Sequence, residues 1–402
     1  MRDKTYKPKY LTRLEQIPQL SDEERKRLRP VHDEFVFRTN DYYNSLIDWN
    51  DPDDPIRRLV IPDVRELDGW GRLDASNEAS YKRVPGLEHK YDSVALLLVN
   101  DVCGAYCRFC FRKRLFMNGN DEVVRDVSEG IAYIREHPEI AEVLLTGGDP
   151  LLVSTRKLGN IIGRLREIDH VEIIRIGSKI PAFNPFRILN DPTLAEIFRR
   201  YSLPHKRIYV MAQFNHPREL TPEAIEGLHV LRQAGVIIVN QTPMIAGVND
   251  DPDTLSELFR KCAAVGVPPY YVFQCRPTLG NRIYSVPVER AYEIFETAKM
   301  RCSGLAKRAR LVMSHETGKI EIAGLTDRHV VFKYHRAADP DLAGRVYIFR
   351  RNPRATWFDD YHAVVEASGL ENPYGSAINE AGSATGDGGE VAGEQGRLRF
   401  PR

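Results

Sequence analysis

From Val94 onward the chain alternates between short apolar runs and amphipathic stretches. The apolar runs fall near 94–100, 142–146, 171–176, 207–213, 236–240 and 270–275. Between them lie segments such as 127–136 and 221–232, whose apolar residues recur at helical spacing. Thr221 followed by Pro222 fits a helix N-cap with proline in the first helical position. A strand and a helix about every 35 residues predict βα units laid on a parallel sheet. Six such units are two short of a closed eight-fold barrel. The expected fold is therefore α/β, an open (β/α)6 TIM-like partial barrel whose mouth is lined by the loops that follow the strands.

The flanks read differently. Residues 1–90 are polar and read as a mostly helical extension, with Ser21 and Glu24 spaced as a capping box and Asp51-Pro52-Asp53-Asp54-Pro55 as a turn. Residues 91–302 carry the βα units. Beyond 302 the βα rhythm stops, and a C-terminal segment to 373 holds the run Ser314 to Glu321 and the strand-like stretch 345–349. From 374 to 402 Gly, Ala, Ser and Glu dominate and bulky apolar residues nearly vanish, the composition of a disordered tail.

Bulk composition narrows the function by exclusion. Lys plus Arg number 57 against 56 Asp plus Glu, a net charge of +1, so no global field points to nucleic acid or an anionic membrane. No run of about 20 apolar residues is present to span a bilayer, and no signal peptide is expected. Six cysteines in 402 residues do not make a disulfide scaffold. A reduced, cytoplasmic setting follows if they serve as thiolate ligands.

The chemistry collects where the strands end. The first strand runs into Cys103, Cys107 and Cys110, a C-x3-C-x2-C spacing, followed at once by Arg112-Lys113-Arg114. Thiolates this close can converge on one metal centre, and three rather than four leaves a position open, as catalytic sites require. An iron–sulfur cluster with one free iron fits; so do three unrelated buried cysteines, or a zinc site completed by a distant histidine. The second strand ends in Gly147-Gly148-Asp149, the third in Ser178-Lys179, the fourth in Gln213 to Pro217, the fifth in Asn240-Gln241-Thr242 and the sixth in Gln274-Cys275-Arg276. Six polar strand ends in succession on one barrel face describe a site.

The cysteine spacing, with the aromatic Phe109 just before the third cysteine, resembles the signature of the radical S-adenosylmethionine (radical SAM) superfamily. The resemblance narrows over residues 40–325. Tyr43 to Asp48, Asp51 to Arg57, Pro85 to Tyr91, Cys107 to Arg114, Arg175 to Lys179, Gln213 to Pro217, Gly247 to Asp250 and Pro269 to Cys275 are together similar to the lysine 2,3-aminomutase family. The resemblance implies a 4Fe–4S cluster on Cys103, Cys107 and Cys110, whose free iron holds S-adenosylmethionine. Cleavage of that molecule yields a 5′-deoxyadenosyl radical. Gly147, Gly148 and Asp149 would meet its amino group, with Phe109, Ser178 and Gln241 as further cofactor-binding positions.

The family also uses pyridoxal 5′-phosphate (PLP), held by a lysine as a Schiff base until the amino-acid substrate displaces it. The substrate's nitrogen then migrates from Cα to Cβ. The resemblance places that lysine at Lys319, after Gly318, and the PLP phosphate at Lys90 and Tyr91. It places the substrate α-carboxylate at Arg112. It further implies a small-molecule amino-acid substrate, an electron donor such as flavodoxin or ferredoxin, and a homo-oligomer, a dimer.

Three departures shape the expectation. Valine occupies position 94, where the family carries a phosphate-binding arginine. The sequence His315-Glu316-Thr317-Gly318-Lys319 replaces a glycine-rich lysine motif. Arg276 stands where lysine-specific members carry an aspartate for the substrate's distal ammonium, a sign reversal that disfavours lysine and favours an acidic or neutral side chain such as glutamate's. No cysteine follows Cys302, so the family's structural zinc is not expected, and Cys262 and Cys302 read as small buried hydrophobes. Three functions remain open: an aminomutase acting on an amino acid other than lysine, a relative that has lost PLP and performs other radical chemistry, and a non-catalytic iron–sulfur or zinc protein.

Overall fold

The parallel sheet forms where the apolar runs placed it. In the computed structural model, which describes residues 6–117 and 119–369, the expected runs become β3 (Val94–Asn100), β4 (Glu142–Gly147), β5 (Ile173–Ser178), β6 (Ile208–Ala212), β7 (Ile237–Pro243) and β8 (Pro269–Phe273). All pair in parallel with their sequence neighbours, and a seventh parallel strand, β9 (Arg310–His315), closes the series. Two antiparallel strands, β1 (Lys82–Val84) and β2 (Leu87–Tyr91), extend the sheet beyond β3. Residues up to Gly369 gather into one compact unit, of which we treat 6–90, 91–302 and 303–369 as segments. The tail expected from 374 lies outside the described residues.

Six helices make the crossovers and the return from β8 to β9. They are α2 (Ser128–Glu136), α3 (Thr155–Arg166), α4 (Pro192–Tyr201), α5 (Pro222–Gln233), α6 (Pro252–Ala264) and α7 (Val288–Met300); α1 (Asp22–Glu34) belongs to the N-terminal segment. Their starts are written in sequence. Thr221 caps α5, its hydroxyl accepting from the Ala224 N–H at 3.1 Å. Ser21 and Glu24 close a reciprocal capping box on α1, at 3.1 and 3.0 Å.

Strand alternation sorts the side chains into two layers. Leu97, Leu145, Ile176, Val210 and Ile238 stand in register across five strands and are buried in the core beneath the helices. Their alternates Leu96, Leu144, Arg175 and Tyr209, also in register, line an internal cavity. Period-two alternation thus builds a dry outer core and a chemically varied inner face from the same strands.

Beyond α7 the structure departs from the single strand-like run expected. β9 turns at Glu316–Thr317 into β10 (Gly318–Leu325), then β11 (His329–Ala337), β12 (Val346–Arg350) and β13 (Val364–Ser368), all antiparallel. The alternation Val330, Phe332, Tyr334 carries the strand signal in β11, and these residues pack with Tyr347, Phe349, Phe358 and Tyr361 into an aromatic second core.

The N-terminal segment is less helical than its polarity suggests, with α1 followed by two helices of four and six residues. It folds against the strand-end loops. Asn40 donates to the carbonyls of Gly104 and Phe183 at 3.1 and 2.9 Å. Arg108, between the second and third site cysteines, is clamped by Glu66. Its Nη2 meets a carboxylate oxygen at 2.7 Å and its Nε approaches both oxygens at 3.0 and 3.1 Å, with both side chains essentially excluded from water. Tyr284 Oη and the Asp63 N–H supply further donors to Glu66 at 3.0 and 2.9 Å.

A buried pair stripped of one partner strands the other charge, at a cost of about 3–5 kcal/mol. Glu66→Ala is expected to lower stability by that order in urea unfolding followed by circular dichroism. A shift below about 1 kcal/mol, the range of an exposed pair, would show that the clamp is not structural.

Candidate active site

The inner face of the parallel strands encloses a cavity of about 630 Å³. Every site residue expected from sequence lines it: the three cysteines, Phe109, Arg112, Gly147, Gly148, Asp149, Ser178, Gln241, Arg276, Lys90, Tyr91 and Lys319. Fourteen positions spread over more than 200 residues thus face one space.

The cysteine loop is fixed by its neighbours. Cys103, Cys107 and Cys110 are unpaired thiols, and the Cys110 N–H donates to the Cys107 carbonyl at 3.1 Å in a tight turn. The Arg108 and Tyr106 N–H groups donate to Leu59 and Arg38 of the N-terminal segment at 3.0 and 2.8 Å. Asn281 Nδ2 donates to the Phe109 carbonyl at 2.9 Å. Burial pushes all three thiols above their usual range. No group of three His, Cys, Asp or Glu side chains among the described residues already has the geometry of a metal site. The thiols share a loop and a cavity wall, and their chemistry is that of an iron–sulfur donor set.

Gly147 and Gly148 serve the close packing of this loop's stem. Gly147 has φ of +111°, and a Cβ there would lie 2.5 Å from the Asn100 carbonyl oxygen. A Cβ on Gly148 would meet the Val102 carbonyl equally closely. The Asp149 carboxylate is already occupied: it accepts from Ser178 Oγ at 2.8 and 3.0 Å and from the N–H groups of Leu151, Lys179 and Ile180 at 3.0, 2.8 and 3.1 Å. Burial lifts it to about 6 against those hydrogen bonds. Its visible work is to tie the end of β4 to the end of β5.

Two arginines differ in how much of each remains available. Arg112 is buried, holding Glu78 with Nε at 2.9 and 3.1 Å and Nη2 at 2.7 Å, while Nη1 reaches Thr146 Oγ1 at 2.9 Å. Arg114 shares the same glutamate at 2.7 Å. Glu78 falls to about 2 because the two guanidiniums outweigh its burial. Glu88, which burial and the Glu78 charge push up to about 8, lies 3.6 Å from Arg112. Arg276 instead stacks on Phe111 with its Cζ 3.6 Å from the ring centroid, has no carboxylate partner among the described residues, and leaves a buried Nη1 unbonded.

Lys319 sits on β10 directly across from Arg336 of β11. Its Nζ lies 4.2 Å from the Tyr271 ring centroid and 5.4 Å from that of Phe273, with no hydrogen-bond or ion-pair partner among the described residues. Burial, together with the charges of Arg175, Arg336 and Arg276, lowers it to about 7. Lys90 is lowered to about 8 by burial and Arg276, and donates to the His315 carbonyl at 2.6 Å. Tyr91, which burial raises to about 12, stays a neutral donor.

The chain as a whole is similar to known proteins. The radical SAM superfamily model matches residues 97–259. A protein of Aquifex aeolicus (strain VF5) named "Putative L-lysine 2,3-aminomutase" is 58% identical over 360 residues, covering 89% of this chain and 96% of its own. The chain belongs to the lysine 2,3-aminomutase family of radical SAM enzymes. Its relatives in this family include the L-lysine 2,3-aminomutase of Clostridium subterminale, 41% identical over 65% of this chain and 62% of the other. The glutamate 2,3-aminomutase of Clostridioides difficile (strain 630) is 32% identical over 76% and 71%. Aminomutases of this family are isomerases, and the radical SAM domain implies a 4Fe–4S cluster and S-adenosylmethionine.

Several cavity residues escaped the sequence reading. Glu78 and Glu88 lie in the N-terminal and β2 region and meet Arg112 only through the fold. Tyr271 and His335 are bonded at 2.7 Å. Arg310 donates to His335 Nδ1 at 2.8 Å, so the imidazole proton sits on Nε2 and points to Tyr271. Burial and Arg310 lower His335 to about 4 and keep it neutral. The strand alternation over 269–273 and 329–337 is the signal that could have placed these residues on strands. Cys262 is fully buried, while Cys302 is half-buried, its Sγ 3.7 Å from the Ser256 carbonyl.

The lowered Lys319 sets a pH dependence. Burial destabilises the cation, so the neutral amine prevails above about pH 7; a solvated lysine needs a pH near ~10.4. Reductive labelling of Lys319 with a small aldehyde, followed by peptide mass spectrometry, is expected to be half-maximal near neutrality. Labelling that rises only above pH 9 would show a solvated lysine.

Proposed function

We propose that this protein is a PLP-dependent radical SAM 2,3-aminomutase whose substrate bears an acidic or neutral side chain rather than lysine's ammonium. The observation that carries the reading is one cavity holding three thiols, an unpartnered neutral-prone lysine and an uncompensated arginine. Cys103, Cys107 and Cys110 would hold the cluster, and Lys319, Lys90 and Tyr91 would hold PLP. When bound, the cluster supplies the electron that cleaves S-adenosylmethionine, and PLP supplies a carbonyl to carry the migrating nitrogen.

The residues divide the remaining work. Lys319 presents an amine that needs no deprotonation to attack a carbonyl. Lys90 offers an ammonium and Tyr91 a hydroxyl, both suited to a phosphate. Arg276, rigid on Phe111 and free at Nη1, offers a guanidinium donor to a substrate carboxylate. Arg112 retains the α-carboxylate assignment through whatever donor capacity Glu78 and Thr146 leave it. Phe109, Ser178 and Gln241 complete the wall for S-adenosylmethionine, with Asp149 holding Ser178 in place. An external reductant such as flavodoxin or ferredoxin and a dimeric assembly accompany this reading.

Two measurements test it. Borohydride reduction of protein incubated with PLP should leave the cofactor on Lys319, detectable by peptide mass; unmodified Lys319 in the wild type would remove PLP from the reading and favour a family member with other radical chemistry. Anaerobic incubation of reconstituted enzyme with a panel of amino acids should convert glutamate or a neutral amino acid to its β-isomer, and Arg276→Met should raise KM for an acidic substrate about tenfold or more, the loss of a charged hydrogen bond. Lysine as the best substrate would overturn the specificity.

A further inference from the structure

The phosphate cradle is incomplete if it is built only from Lys90 and Tyr91. Position 94, at the start of β3, is valine, and its side chain is buried against the cavity without a donor. A cation nevertheless stands beside it. Arg336 reaches from β11 so that its Cζ lies 4.5 Å from the Tyr91 ring centroid, and its Nη2 donates to Ser93 Oγ at 2.7 Å. It lines the cavity and has no carboxylate partner among the described residues.

We infer that Arg336 is a phosphate-binding residue of the PLP site, supplying from β11 the guanidinium that β3 lacks. The inference rests on the PLP reading above. Its geometry comes from the strand register. Lys319 and Arg336 are direct cross-strand partners, so their side chains leave the sheet on one face with Cβ atoms about 5 Å apart. In PLP the aldehyde and the phosphate arm sit on adjacent ring carbons. A lysine that takes the aldehyde therefore needs a phosphate-binding cation close beside it, and the cross-strand neighbour is placed to be one.

Gly318 explains why the two strands meet this closely. A Cβ on Gly318 would collide with the Arg336 carbonyl oxygen and lie 2.8 Å from the Ala337 Cα. The glycine before the lysine thus serves the approach of β11 rather than a turn. Stacking on Tyr91 and the hydrogen bond to Ser93 hold the guanidinium plane, and the remaining N–H groups suit a bidentate phosphate contact. Lys90, anchored on the His315 carbonyl, lies 5.6 Å from the centroid of the same ring. Two cations thus stand near one tyrosine.

The test compares PLP with pyridoxal, which has the aldehyde and lacks the phosphate. Dissociation constants of both are measured by equilibrium dialysis on the full-length protein with reconstituted cluster, for wild type, Arg336→Met and Arg336→Lys. Arg336→Met is expected to weaken PLP by about tenfold to a hundredfold, the range for a lost charged hydrogen bond, and to leave pyridoxal unchanged; Arg336→Lys should fall between. Equal weakening of both ligands, or no change for either, overturns the assignment. Wild-type protein that retains no PLP and carries none on Lys319 after reduction overturns the parent reading and this one with it, an outcome distinct from normal wild-type binding with an unaffected variant. Arg336 is only half-buried, and a melt without PLP checks the variant's fold; should Arg336→Met not fold, the PLP-to-pyridoxal ratio in Arg336→Lys decides.

Discussion

The buried ion pair between Glu66 and Arg108 is the constraint on which the site depends. An arginine placed between two cavity cysteines would swing the loop toward solvent unless its charge were met inside. Glu66 meets it from the N-terminal segment, so the loop is held by a residue 42 positions away. The same device recurs at the other strand ends. Glu219 receives Lys179 Nζ at 2.6 Å and Tyr43 Oη at 2.5 Å, binding the ends of β5 and β6 to the N-terminal segment. Glu78 gathers Arg112 and Arg114, and Asp149 gathers the start of the loop after β5. Each is a buried carboxylate met by several donors, the condition under which burying a charge is tolerated.

With those carboxylates spent on structure, the cavity keeps an excess of unmatched positive charge. Arg276, Arg336 and Lys90 have no acid of their own among the described residues, and Glu88 is held protonated at neutral pH. Burial, reinforced by that field, lowers Lys319 to about 7. A cavity of this kind is poised for ligands that bring anions with them. The arginine at position 276 adds to that positive field.

What could be read from sequence divides along a physical line. Strands β3 to β8, the caps at Ser21 and Thr221, and the strand-end placement of the cysteines follow from local periodicity and capping chemistry, which need no tertiary information. The antiparallel strands β10 to β13 are legible in part: 345–349 reads as a strand, and Val330, Phe332 and Tyr334 alternate as a strand does. The acids Glu66, Glu78 and Glu219 were not legible. Each sits in a polar stretch where it resembles a solvated residue, and its partner is distant in sequence. Arg336 was hidden for the same reason: its relation to Lys319 exists only in the register of β10 against β11. Gly318 is visible in sequence only as the residue before Lys319, because close approach by another strand leaves no trace in one sequence.

The two layers made by strand alternation have a consequence for how such a protein can change. Residues at one parity pack against the helices, and residues at the other parity line the cavity. A substitution at 94, 276 or 336 therefore alters the inner lining while the row from Leu97 to Ile238 goes undisturbed. Stability and chemical preference are written in separate registers of the same strands, and a lineage can rewrite one without revising the other.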